Sequence, residues 1–390
     1  MIEGLVEQFA ALEDLRCAGK VEHQLVDVLV IAVCAAVAGA ESFEDVALYG
    51  RCKEPWLRGF LALPGGIPSH DTFRRVLMLV DPDAFERGFL AWVRDAFPAA
   101  DASTDAAAAG GGAAAGGRGV EQIAVDGKTL RRSFDRTRGR APLHVVTAYA
   151  TERGLVLAQR AVADKGGEPA VLPTLLAGLC LDGCLVSLDA LSCRREVAES
   201  ITARGADYLL TLKGNQGRVY GEVEAWFAAH AFERSADLAP CLDAFDDTHG
   251  RLVRRRVFAC PDLAAFPALR DWPGLRAVLA TETIRGVNGT GVVTAERRHY
   301  LSSSAAPPAV LAQAIRRHWA IENGAHWVLD VAFGEDRSRV RERTAARNLA
   351  VLRRIALDLL RADTSRKASL TAKRKAAAWD DAYMAKLLSG

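Results

Sequence analysis

The chain has 390 residues, half of them apolar and a quarter charged, with a formal net charge of +2. That is the composition of an ordinary globular protein, long enough for more than one domain. No apolar run reaches the length of a membrane span, and the start lacks a basic signal-peptide region, so a cytoplasmic protein is expected. The eight cysteines are scattered without metal-ligand spacing, which reads as structural thiols rather than a zinc site.

Residues 1–97 read as helical. An apolar helix is expected over 26–37, and a second begins at Ser42, with Asp45 placed to complete a capping box. Apolar periodicity continues over 56–63, a Pro/Gly turn covers 64–68, and a short basic helix capped by Ser69 or Asp71 follows. Short helices with a basic one after a tight turn suit either a DNA-binding domain or a plain bundle. Residues 98–119 are mostly Ala and Gly and read as a flexible linker.

The pattern changes at Val120. Strands are expected over 122–125, 144–150 and 155–162, then a helix over 169–179, a strand over 185–188, a helix over 193–204 and a strand over 208–212. Three strands, helix, strand, helix, strand is the ribonuclease-H-like order, an α/β core that 120–213 would begin. Residues 214–304 read as a β-rich insertion, with strands over 251–258, 277–284 and 297–301 and a hairpin signal at Asn288-Gly289. Helix is expected from Pro308 to about Arg361, so that 305–362 completes the core and 363–390 forms a basic tail ending in a short amphipathic piece. Residues 341–375 hold eleven Lys/Arg against three Asp/Glu, either a phosphate-backbone contact or a solvated helix and tail.

Three acidic residues carry the chemistry. Asp126 and Asp189 each close a short apolar run and are followed by a small residue, and Glu322 lies on the long helical segment with His326 one turn on. Two carboxylates at the ends of adjacent strands and one on a helix can converge on a pair of hard cations. Carboxylate oxygens are the ligands that magnesium and manganese prefer, and two such ions can serve both the attacking and the leaving oxygen of a phosphodiester. Without an ion, mutual repulsion would raise the carboxyl pKa values. Taken singly, Asp126 also suits a turn, and Glu322 also suits a helix-surface ion pair. Trp319 and Trp327 are expected in the core.

Around these residues the chain resembles the insertion-sequence DDE transposases, in the branch of the H-repeat-associated proteins of Rhs elements. The likeness rests on Val-Asp-Gly-Lys-Thr-Leu-Arg at 125–131, Leu-Asp-Ala at 188–190, Tyr-Leu-Leu-Thr-Leu-Lys-Gly-Asn-Gln at 208–216 and His-Gly-Arg at 249–251. It continues with His-Trp-Ala-Ile-Glu-Asn-Gly-Ala-His-Trp-Val-Leu-Asp-Val-Ala-Phe at 318–333, Glu-Asp-Arg-Ser-Arg at 335–339 and Asn-Leu-Ala-Val-Leu-Arg-Arg at 348–354. Gly-Gly-Ile-Pro-Ser-His-Asp-Thr-Phe at 65–73 resembles the helical domain that accompanies such cores.

The resemblance implies a ribonuclease-H-like core with a β insertion and a metal-dependent enzyme that cuts and joins DNA at terminal inverted repeats. Asp126, Asp189 and Glu322 would be its catalytic and metal-binding residues, holding two Mg²⁺ or Mn²⁺ ions. It further implies work in the bacterial cytoplasm, at the nucleoid when on DNA, and a homodimer on paired ends. Lys128, Lys213, Asn215, Gln216, Arg316, Arg317 and His318 are the expected DNA contacts. Ile315, His318 and Leu329 stand where related enzymes carry Tyr, Arg and Lys, so an inactive DNA-binding relative and a nuclease without strand transfer remain alternatives.

Overall fold

The computed structural model describes residues 2–98, 120–162, 165–232, 237–248, 251–287 and 293–389. The Ala/Gly segment, Asn288-Gly289 and part of the His-Gly-Arg motif lie outside them. The chain divides into two compact units. The first comprises Met1–Gly119, Gly127–Gly167 and Glu322–Gly390, the second Val120–Asp126 and Glu168–Ile321.

The first unit opens with five helices: α1 (Ile2–Ala10), α2 (Leu25–Ala38), α3 (Phe43–Leu57), α4 (His70–Leu79) and α5 (Pro82–Ala96). α2 is apolar on every face and buried along almost its whole length, as a helix surrounded by others must be. Its one acid, Asp27, is buried and accepts a hydrogen bond of 2.9 Å from the Leu63 backbone N–H. α2 ends at Gly39, whose φ of 113° suits glycine alone. Ser42 and Asp45 form the expected capping box, and Ser69, not Asp71, caps α4 by accepting from Thr72 N. The periodicity over 56–63 gives less helix than expected, because α3 stops at Leu57.

The strands β1 (Gln122–Leu130), β2 (Leu143–Ala150) and β3 (Leu155–Val162) come next. They are followed by α6 (Glu168–Ala177), β4 (Leu185–Leu188), α7 (Arg195–Thr202), β5 (Asp207–Leu212) and α8 (Gly217–Phe227). β6 (Leu242–Thr248), β7 (Arg251–Ala259), β8 (Ala277–Val287) and β9 (Val293–Ser302) complete a nine-stranded sheet of order β3-β2-β1-β4-β5-β9-β8-β7-β6. β2 and β3 are antiparallel, while β4 runs parallel to β1 and β5 parallel to β4. The first five strands thus have the ribonuclease-H-like arrangement in a mixed α/β fold with a helical N-terminal region.

In the second unit the β-rich insertion continues the core sheet. β9 pairs with β5 over His299–Ser302 on one side and with β8 along its length on the other. β6 is a strand that the sequence pattern does not announce. Its Leu-Asp-Ala-Phe-Asp-Asp-Thr is too acidic to read as a strand alone, but it lies antiparallel to the arginine-rich β7, with Arg254 and Asp243 paired at 2.6 Å.

The continuous helix expected from Pro308 to Arg361 is broken. α9 (Pro308–His318) belongs to the second unit. In the first unit a π-helical turn, Glu322–His326, leads into α10 (Trp327–Val331), a short 3₁₀ turn and then α11 (Arg343–Ala362). α11 is buried over most of its length and packs against α2, α4, α5 and β3. The basic tail forms α12 (Leu370–Trp379) and α13 (Asp381–Ser389). Its cations turn inward: Lys373 donates to the Leu360 carbonyl at 3.0 Å, and Arg374 donates to Ala36 O at 2.8 Å and stacks on the Phe333 ring. Arg353 and Arg354 of α11 are buried as well. Much of the basic block is therefore internal structure, not a surface for phosphate.

Candidate active site

β1 and β4 are in register at Val125 and Leu188. Asp126 and Asp189 are the next residues, so they leave neighbouring parallel strands, about 4.8 Å apart, at the same level and the same end. The C-terminal ends of parallel strands are where open α/β sheets hold their ligands. Asp126 is not at a strand end as expected, because β1 continues through Gly127 to Leu130. Its pairing with β4 does stop at Val125.

Asp189 is held by its own loop. Its Oδ1 accepts from Leu191 N at 3.0 Å and Ser192 N at 3.4 Å, capping a 3₁₀ turn. The end of β5 braces that turn. Asn215 donates to Ala190 O at 2.8 Å, Gln216 donates to Cys193 O, and Thr211 donates to Leu188 O at 3.2 Å. Asn215 and Gln216, expected along a DNA channel, instead use their amides to fix the backbone around Asp189. Lys213 beside them is exposed. Burial, and then the charge of Asp189, push the Cys193 thiol up to about 12, which leaves it protonated and unreactive at neutral pH.

Two residues before Asp189, the buried Ser187 joins three elements. Gln122 of β1 donates to Ser187 Oγ at 2.9 Å and to the Ala314 carbonyl of α9 at 2.9 Å. His318, at the end of α9, places its Nδ1 3.0 Å from the same hydroxyl. Of the expected DNA contacts on this helix, His318 is thus partly engaged by the strand, Arg317 reaches Gln313 at 3.3 Å, and Arg316 is exposed. Trp319 is 45% exposed with Arg298 stacked on it, contrary to the expected core position.

In the first unit Glu322 opens the π-helical turn, a feature that concentrates at functional sites. Its carboxylate is exposed and lies 3.6 Å from Nδ1 of the buried His326. Arg361 of α11 ties the turn down by donating to the Gly324 carbonyl, the Gly154 carbonyl and the Tyr149 hydroxyl. Gly324 is a steric necessity: a β-carbon there would come within 2.7 Å of Tyr149 Cζ and closer still to its hydroxyl. Trp327, also expected in the core, is 61% exposed. Ile315 and Leu329, at the positions where related enzymes carry Tyr and Lys, are buried apolar residues.

Lys128 does not face solvent either. Its ammonium is held by Asp330 and, at 2.9 Å, by the fully buried Glu335, which also accepts from Arg354 at 3.0 Å. Burial works to raise the Glu335 pKa, but the charges of Arg354 and Lys128 outweigh it and hold the carboxyl well below the usual range. The Glu-Asp-Arg-Ser-Arg motif thus includes a structural ion-pair network that spacing alone did not reveal.

In the first unit Glu322 and His326 offer a carboxylate and an imidazole, and in the second unit Asp126 offers a carboxylate, all of them ligand types that a metal ion takes. Asp189 offers a further carboxylate. A donor set so rich in oxygen suits Mg²⁺ or Mn²⁺ far better than a thiolate-seeking metal.

Comparison with known proteins agrees with this chemistry. The family model described as "Transposase DDE domain" matches residues 118–359, and one described as "DDE_Tnp_1-associated" matches residues 6–93. The chain is 33% identical to the "H repeat-associated putative transposase YhhI" of Escherichia coli K12, over 100% of this chain and 98% of that one. It is 39% identical to the "Uncharacterized protein in dhlA 3'region" of Xanthobacter autotrophicus, over 73% of this chain and 89% of that one. Among solved structures, the piggyBac transposase synaptic complex with hairpin DNA aligns over all of this chain and 78% of that one. Its sequence identity is 9% and its TM-score 0.42.

Proposed function

The chain belongs to the family of transposases with a DDE domain, and on that premise we propose that it cleaves DNA at the inverted-repeat ends of an insertion sequence and joins the ends to a target. Asp126, Asp189 and Glu322 are the proposed metal-binding catalytic residues. The observation that carries this reading is the parallel register that sets Asp126 and Asp189 side by side. The glutamate of the set stands on a π-helical turn braced by Arg361.

Two divalent cations, when bound, would supply Lewis-acid stabilisation of the attacking and leaving oxygens. The chain's own residues have the task of placing charge. Asp189 presents a carboxylate whose other oxygen is fixed by backbone N–H groups. Asn215 and Gln216 keep that loop from moving when the cation field changes. His326 lies beside Glu322 and limits where its carboxylate points.

DNA is the proposed partner, held at Lys213, Arg316 and Arg317, which lie at a strand end and a helix end in the second unit. Trp319 and Trp327 are exposed large aromatics, suited to stacking on unpaired bases at a processed end. The helical region 1–97 is proposed as the part that docks on the terminal repeat, with two copies acting on paired ends.

A second reading has one specific support. Ile315 and Leu329 are buried and cannot take the roles of the Tyr and Lys of related enzymes, which favours a nuclease that cuts without strand transfer. Incubation with pre-cut ends and a supercoiled target separates the two. Joined products support transposition, and cutting of intact ends without joining supports the nuclease.

A further inference from the structure

His326 is the fourth residue after Glu322 and closes the same π-helical turn. In an α-helix, at about 3.6 residues per turn, residues four apart leave the axis about 40° from one another. The wider π turn takes up most of that offset, so the two side chains leave the backbone in nearly one direction. Oε2 of Glu322 lies 3.6 Å from Nδ1 of His326.

That spacing is too long for a hydrogen bond. It is close to the spacing that a shared cation sets. Two donor atoms on one ion, with bonds of about 2.1 Å, stand about 3.0 Å apart at a right angle and about 3.4 Å apart at a tetrahedral one. The Glu322 side chain is half exposed and can swing to close the difference, while that of His326 is buried and cannot. The turn beneath both is held at its middle, where Arg361 donates to the Gly324 carbonyl and the Tyr149 hydroxyl fills the space of a β-carbon. One donor is thus fixed and the other mobile, on a backbone that is itself braced.

We infer that His326 is a metal ligand, its Nδ1 joining the carboxylate of Glu322 on one divalent cation. The inference rests on the reading of Glu322 as a metal-binding residue, and it adds a nitrogen donor to a site otherwise made of carboxylates. Nitrogen changes the choice of metal. Magnesium takes oxygen donors, whereas imidazole suits first-row transition metals, so His326 weights the site toward Mn²⁺ over Mg²⁺.

Manganese is the probe, because its unpaired electrons report a directly bound nitrogen. Mn²⁺ added to the full chain should give electron spin-echo modulation from an imidazole nitrogen, and His326→Gln should remove it. Glu322→Ala changes an exposed side chain and should weaken both Mn²⁺ affinity and the same modulation, which keeps the test decisive if the histidine variant fails to fold. The Mg²⁺ concentration that displaces half of the bound Mn²⁺ should fall about tenfold in His326→Gln, the scale on which metal sites respond to loss of a supporting group. Mn²⁺ binding that Asp189→Ala and Glu322→Ala weaken, but that shows no imidazole modulation, overturns the proposal and leaves the catalytic reading standing. Modulation that survives in both His326→Gln and Glu322→Ala does the same. Mn²⁺ binding that no carboxylate variant weakens overturns the proposal and that reading together.

Discussion

The hydroxyl of Tyr149 occupies the space that a β-carbon on Gly324 would need. Tyr149 comes from β2 and Gly324 from the middle of the π-helical turn, so a strand residue dictates a glycine two positions after Glu322. Arg361 joins both, through the Tyr149 hydroxyl and the Gly324 carbonyl. Gly324→Ala should therefore displace the turn or the tyrosine and destabilise the protein by about 1–3 kcal/mol, the usual cost of overpacking. Adding Tyr149→Phe should restore part of the loss and Tyr149→Leu more, since the ring carbon also stands in the way. Thermal unfolding of the single and double variants checks this, and equal loss with and without the tyrosine change would contradict it.

Asn215 and Gln216 separate two accounts of the strand that ends beside Asp189. As braces of its loop, their removal should leave DNA affinity unchanged, raise the metal concentration for half-maximal cleavage and lower the rate about 10-fold, as loss of outer-shell support commonly does. As DNA contacts, they would lower affinity at every metal concentration. A metal titration of Asn215→Ala alongside a gel-shift measurement distinguishes the outcomes.

The inward cations of the C-terminal region yield a salt-dependence prediction. Arg374→Met should lower thermal stability and leave the salt slope of DNA binding as it was. Lys213→Ala and Arg316→Ala should each reduce that slope by about one, as loss of a phosphate contact does. A slope unchanged in both surface variants would remove them from the DNA interface.

Two buried acids pull stability in opposite directions with pH. Glu335 is depressed below its ordinary value of 4.5, so its contribution is fully present above that value and is lost as pH falls toward its folded value. Glu335→Gln should flatten the acid limb of a stability–pH curve. Asp358 of α11 is fully buried and accepts from Val156 N at 2.9 Å, and burial raises its pKa well above the ordinary value. Its contribution is present at low pH and is lost as pH rises through the folded value. Asp358→Asn keeps the acceptor and should raise the melting temperature more at pH 8 than at pH 5.

These residues also mark how far the sequence could be read. Asp126 and Asp189 were legible because each follows a run of β-forming apolar residues, and the parallel register follows from the strand order. The motif around Glu322 located that residue but not its π-helical turn, because the turn is fixed by Arg361, 39 positions further on, and by Tyr149, far upstream. Lys128 and the basic block misled for one reason: charge in a sequence carries no label for the carboxylate or carbonyl that will receive it. The exposed positions of Trp319 and Trp327 depend on how the helix breaks, which periodicity over an assumed continuous helix does not contain.

The most direct test of the central claim uses a supercoiled plasmid carrying the repeats that flank the protein's own gene, with magnesium or manganese. Wild-type protein should nick the ends and join them to target. Asp126→Ala, Asp189→Ala and Glu322→Ala should each abolish cleavage while still shifting the repeat DNA on a gel. Metal-dependent cleavage that survives in all three variants would contradict the account.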